Sequence, residues 1–96
     1  MNRFSFTTTE NYPEWSLLLT WVAVVEAASV SGAARLLGLS QAAVSQRIKQ
    51  LEGAMSTELL DRSTRPARPT PAGELLFDHA ARLLAQAGDM TESAVS

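Results

Sequence analysis

Between Leu39 and Ile48 the chain reads LSQAAVSQRI, and Lys49 follows. If this stretch is helical, steps of about 100° per residue bring Gln41, Ala42, Ser45, Gln46 and Lys49 to one side, opposite Val44 and Ile48. A polar face of that make-up has the chemistry to read base edges. Glutamine bonds adenine through N6 and N7, serine donates or accepts, and a small alanine leaves room for a thymine methyl. An α-helix fits the major groove of B-form DNA, and its first residues come nearest the bases. The same residue types also line the solvated side of ordinary amphipathic helices. The surrounding elements must decide between the two.

Immediately upstream, ASVSGAARLLG is helical in pattern and stops at Gly38. Ser31 is a natural N-cap, Ala33, Ala34 and Leu37 are apolar at helical spacing, and Gly38 can take the left-handed conformation that ends a helix. Ser40 then caps the next helix, with Val44, Ile48, Leu51 and Met55 on one face. The break at Gly38 and Leu39 is the tight turn of a helix-turn-helix, with Leu39 folding back into the core. Before it, Trp15, Leu18, Val22 and Val25 mark an amphipathic helix from about Glu14 to Ala28. After it, ELLDR reads as a short strand and STRPARP as an exposed loop. A second short strand around Ala67 to Pro69 pairs with the first as an edge, since Pro69 lacks an N–H. Thr70 and Pro71 then cap and open the longest helix, to about Met90.

The expected fold is therefore mainly α: a winged helix-turn-helix with a three-helix core, a small β-hairpin wing and a long C-terminal linker and dimerisation helix. Its divisions are a flexible arm at 1–13, the winged domain at 14–70, and the linker helix with a frayed end at 71–96.

Composition narrows the function. At 96 residues there is room for one small domain. The absence of cysteine removes disulfides and thiolate metal sites and suits a reducing cytoplasm. No apolar secretory segment opens the chain, and the run from Leu17 to Ala28 is too short and polar for a membrane span. The net charge of −2 conceals a pattern: residues 35–68 carry six cations against three acids, while both flanks are acidic. A polyanion would find its partner in the middle. An enzyme is not expected. His79 is the only histidine, there is no Gly-rich phosphate loop, and Asp78 and His79 diverge by about 100° on a helix, so no metal or cofactor is expected.

These stretches, WVAVVEAASVSGAARLLGLSQAAVSQRIKQLE, LLDR and RPARPTPAGE with the apolar helix behind them, resemble the DNA-binding domain of LysR-type transcriptional regulators. The resemblance covers Val22 to Gln86. It implies sequence-specific binding to an interrupted palindrome in promoter DNA, a homodimer, and an effector-binding domain that is absent from this chain. Four positions depart from the family pattern: Ala28 and Ser56 stand where glycine is frequent, Leu60 where phenylalanine is common, and Pro69 where an aliphatic residue is usual. These departures touch turns and strands, not the reading face.

Within that frame, Gln41, Ala42, Ser45 and Gln46 are the candidates for base contact. Arg65, next to Pro66, is placed to enter the minor groove, where narrow A·T-rich segments attract arginine. Arg62 and Arg68 contact phosphates or brace the hairpin. Ser31, Ser40, Lys49 and the first N–H groups of the second helix complete the backbone set. On the last helix, Leu76, Phe77, Ala80, Leu83, Leu84 and Ala87 form a stripe wider than a core this small can cover. Part of it must pack on the first helix through Trp21 or Val25, and the rest calls for a second copy. The rival reading is a winged-helix protein-interaction module, which would want an apolar exposed face on the third helix.

Overall fold

The computed structural model describes residues 15–95, with side-chain surroundings for 15–88. The arm expected at 1–13 and the start at Glu14 lie outside the described residues. In chain order the elements are α1 (Trp15–Ala27), α2 (Val30–Leu37), α3 (Gln41–Met55), β1 (Leu60–Asp61), β2 (Arg68–Pro69) and α4 (Pro71–Val95). The two strands pair antiparallel, with Leu60 opposite Pro69 and Asp61 opposite Arg68. This is the mainly helical winged helix-turn-helix expected from the pattern.

The core forms where α1 meets α2, α3 and the base of the wing. Leu17, Trp21, Ala23, Val24, Ala33, Ala34, Val44, Ile48, Leu51, Leu59 and Leu60 are its buried members. Helix α1 corrects one member of the stripe inferred for it and widens the rest. Val22 is buried and Leu18 and Val25 pack on the core, but Trp15 is 48% exposed, and Leu17, Trp21 and Val24 also face inward. The segment is apolar nearly all round, so several phases fit the spacing, and packing picks the one that buries the Trp21 indole, whose N–H has a partner inside. Thr20, buried in the same helix, is satisfied on both sides. Its hydroxyl donates to Ser16 O at 2.7 Å and accepts from Arg47 Nη1 at 3.3 Å, so α1 and α3 share a polar tie inside the core.

The cap of α2 also differs from expectation. Ser29, not Ser31, is the N-cap, its Oγ accepting from Gly32 N at 2.9 Å. Both serines suit the role; placing Ala33 and Ala34 against the core selects the earlier one. At the other end Gly38 adopts φ 67°. Its N–H donates to Arg35 O, and Leu39 N donates to Ala34 O at 2.9 Å, the paired bonds of a Schellman end. Leu39 is thereby returned to the core edge, and the chain is aimed into α3 within two residues.

Helix α3 starts at Ser40, whose Oγ accepts from Ala43 N at 3.1 Å. It ends with a second Schellman pair around Ser56, where Met55, assigned to the buried face, is 38% exposed. Helix α4 is fastened at its first turn. Thr70 Oγ1 accepts from Gly73 N at 3.0 Å and donates to Glu58 O at 2.7 Å, and Trp21 Nε1 donates to Gly73 O at 2.8 Å. Trp21 thus gives α1 a polar hold on α4 in addition to apolar packing. The helix runs to Val95, past the end expected near Met90; at 25 residues it is about 37 Å long. No helix among the described residues is long and apolar enough to cross a membrane.

Candidate nucleic-acid interface

With α3 in place, the opposition of its two sides is direct. Val44, Ile48 and Leu51 are at most 1% exposed. Gln41, Ala42, Gln46 and Lys49 are exposed and Ser45 is half-buried. The polar residues occupy an arc of roughly 140° on the outer side. None of the Gln41, Ser45, Gln46 or Lys49 side chains has a hydrogen-bond or ion-pair partner among the described residues. Donors and acceptors held on a rigid helix with nothing of their own to bind are equipped to bind something else.

Ser40 sits at the start of this face, its oxygen engaged as the cap while the hydroxyl proton is still available. Ser31, displaced from the capping role, is half-buried in the first turn of α2. It stays beside the N–H groups that favour an anion there.

The wing divides its three arginines. Arg62 turns back to α3, its Nη2 lying 3.4 Å from Glu52 Oε1 and its Nη1 3.5 Å from Oε2. The same carboxylate accepts from Leu59 N at 2.8 Å and Leu60 N at 3.2 Å. Burial alone would push the Glu52 carboxyl up. The two N–H groups and the guanidinium outweigh it and hold the pKa below the ordinary value of 4.5. Arg62 is thereby tied to α3 through Glu52. Arg65 and Arg68 are exposed and without a partner among the described residues. Asp61 shapes the loop between the strands: Ser63 N and Oγ both donate to its carboxylate and hold that group below its usual range.

Two contributors have no signal in residue type or spacing. Arg47 points inward to Thr20 from the helix whose outer side carries the polar face. Glu52 ties the end of α3 to the wing. Either reads in the sequence as one more solvated charge.

On α4 the expected stripe breaks in two. Leu76 and Phe77 pack against the chain's own core, and Ala80 is 1% exposed. Ala80 is therefore covered by its own domain and is not available for close approach by a second copy. Beyond it Leu83 is 49% exposed, and Leu84 and Ala87 are half-buried.

A profile described as bacterial regulatory helix-turn-helix protein, lysR family, matches residues 15–74. The chain belongs to the LysR family. An uncharacterized HTH-type transcriptional regulator of Mycobacterium tuberculosis is 44% identical over 70 residues, which are 73% of this chain and 22% of that protein. The HTH-type transcriptional regulator ArgP of Pseudomonas aeruginosa is 43% identical over 77 residues, 80% of this chain and 25% of ArgP. Among solved structures, the DNA-binding domain of BenM in complex with catB site 1 DNA superposes with a TM-score of 0.80 at 34% identity, covering 84% of this chain and 91% of that one. The LysR-type chain described here thus spans about a quarter or less of the curated relatives it matches.

Proposed function

We propose that this LysR-type domain binds double-stranded promoter DNA sequence-specifically, as a dimer on an interrupted palindrome, and so controls transcription. The observation that carries the reading is the uncommitted polar face of α3, framed by a wing with two free arginines. Helix α3 lies in the major groove with Gln41, Ser45 and Gln46 at base edges and Ala42 against a thymine methyl. Arg65 enters the adjacent minor groove, and Arg68, Lys49, Ser40 and Ser31 with the α2 N-terminus hold phosphates. Arg62 acts through Glu52 and positions the wing. The BenM domain, whose structure was solved on DNA, supports this reading by fold and identity. An exposed α3 face without apolar residues larger than alanine gives a protein-docking module nothing to bury.

The dimer rests on Leu83 and Leu84, where α4 has left its own core. A second α4 running antiparallel covers them across a two-fold axis, which sets two α3 helices at repeated half-sites. Function on a chromosome places the protein in the bacterial cytoplasm. The test is selection of bound duplexes from a random pool at low salt. A paired half-site motif is expected, and failure to retain any duplex would overturn the reading.

A further inference from the structure

One cavity near this interface has no part in the proposed contacts as a cavity. It is a groove of about 770 Å³ between the α1–α2 corner, the base of the wing and the first turns of α4. That volume is typical of small-molecule sites, which are apolar with a few placed polar groups. Val24, Val25, Leu60 and Phe77 line it with hydrocarbon. Glu74 and Asp78, four residues apart and so on one side of α4, line it as well, and Arg68 is the only cation in its wall. These three charged side chains have no hydrogen-bond or ion-pair partner among the described residues.

We infer that this groove binds a small amphipathic organic monocation, its apolar body against Val24, Val25 and Phe77 and its ammonium against the Glu74 and Asp78 carboxylates. The wall carries two negative charges against one positive, so a single positive charge balances it. An anion would meet two carboxylates for one guanidinium, and a neutral body would leave the charges unmatched. Phe77 adds a ring face to which a cation is drawn. Ser31, Gln41 and Arg68 also line the groove, so an occupant would compete with the DNA contacts proposed for them. That consequence rests on the DNA reading; the site itself does not.

The experiment uses the whole chain without DNA. Amide shifts are followed by heteronuclear NMR during titration with phenylethylammonium, phenylethanol and phenylpropionate, which share one ring and differ in charge. Expected are saturable shifts clustered at Val24, Val25, Ala28, Leu60, Phe77 and Asp78, strongest binding for the cation, and a loss of roughly fivefold in the double variant Glu74→Gln, Asp78→Asn. Raised salt should erode the preference. Shifts scattered over the exposed leucines, equal binding of the alcohol, or tighter binding of the anion would each overturn the inference. A gel shift of the same chain on selected duplex then reads the competition. Absence of DNA binding before any cation is added would count against the DNA reading alone.

Discussion

In α3, Val44, Ile48 and Leu51 are spent inside the chain's own core, and what faces outward is amide, hydroxyl and ammonium. In α4 the same accounting stops at Ala80: Leu76 and Phe77 lean on the core, then Leu83 stands half exposed on a helix that continues to Val95. Both helices begin with a well-made cap. They differ in what remains unsatisfied. A helix whose apolar side is consumed as far as Leu51 offers hydrogen-bonding groups over that length, so its complement there is a polar surface. A helix with apolar residue left over calls for more apolar surface, which the proposed second copy would supply.

The sharpest way to break the comparison is to unfasten α4. A Cβ at Gly73 would lie 2.7 Å from Trp21 Cζ2 and collide with Leu59 O. Neither neighbour can retreat, one being backbone and the other the centre of the core. Gly73→Ala is expected to cost roughly 3 kcal/mol, the upper part of the range for overpacking. Urea unfolding checks it, with the midpoint falling and the slope unchanged. A midpoint like that of the parent would mean that α4 is not held at this turn.

Leu84→Arg addresses the other half of α4. A guanidinium in the proposed seam would be buried without a partner and should weaken the dimer by about 2 kcal/mol or more. Sedimentation equilibrium at micromolar concentration should give a dimer for the parent and a monomer for the variant, with the fold intact by circular dichroism. A parent that sediments as a monomer would remove the second copy from the argument.

On α3 the expected effect is smaller and of another kind. Gln41→Ala should relax preference at one base position by about 1–2 kcal/mol while binding to generic duplex persists, because phosphate contacts carry that part. Selected sequences from the variant and the parent provide the comparison. An unchanged motif would take Gln41 out of the reading set.

How much of this was legible varies with how local the cause is. Ser40, Gly38 and Thr70 act within a few residues of themselves, and their spacing foretells α3, the turn and the start of α4. Ser29 and Ser31 are equally good caps on paper; only the docking of α2 onto α1 separates them. On α1 the spacing finds Leu18, Val22 and Val25 at the core but includes the exposed Trp15 and omits Trp21, because a helix with so many apolar residues has no single phase until Trp21 meets Gly73, 52 positions away. The tie from Arg62 to Glu52 crosses a turn, and no local spacing announces it. The polar face of α3 was legible because one period of alternating burial determines it.

The family departures at Ala28 and Ser56 acquire a physical meaning. Their φ values are 58° and 51°, left-handed in both cases, at the ends of α1 and α3. Both side chains are exposed, so no packing is lost with them. Relief of the left-handed conformation is offset in part by the greater freedom of glycine in the unfolded chain. Ala28→Gly and Ser56→Gly should therefore each stabilise by about 0.5–1 kcal/mol. Gly38→Ala, at φ 67°, should move the other way. Thermal melts of the three variants are the check, and destabilisation by both glycines would show that these turns are not strained.

The smallest effect concerns the link between α3 and the wing. Glu52 has a lowered pKa in the folded state, so its contribution is present above the unfolded value of about 4.5 and is lost as the pH falls through the folded value. Its partner Arg62 is 45% exposed, and solvent screens the pair. The charge is therefore worth only about 0.5 kcal/mol at neutral pH. Glu52→Gln retains a carbonyl oxygen that can accept from Leu59 N and Leu60 N, so it removes the charge and little else. The stability gap between parent and variant should be open at neutral pH and close on acidification below 4.5. Urea midpoints across an acid series measure it. A gap that stays constant with pH would mean that the carboxylate charge plays no part in seating the wing, and that the two N–H bonds alone hold α3 and the hairpin in register.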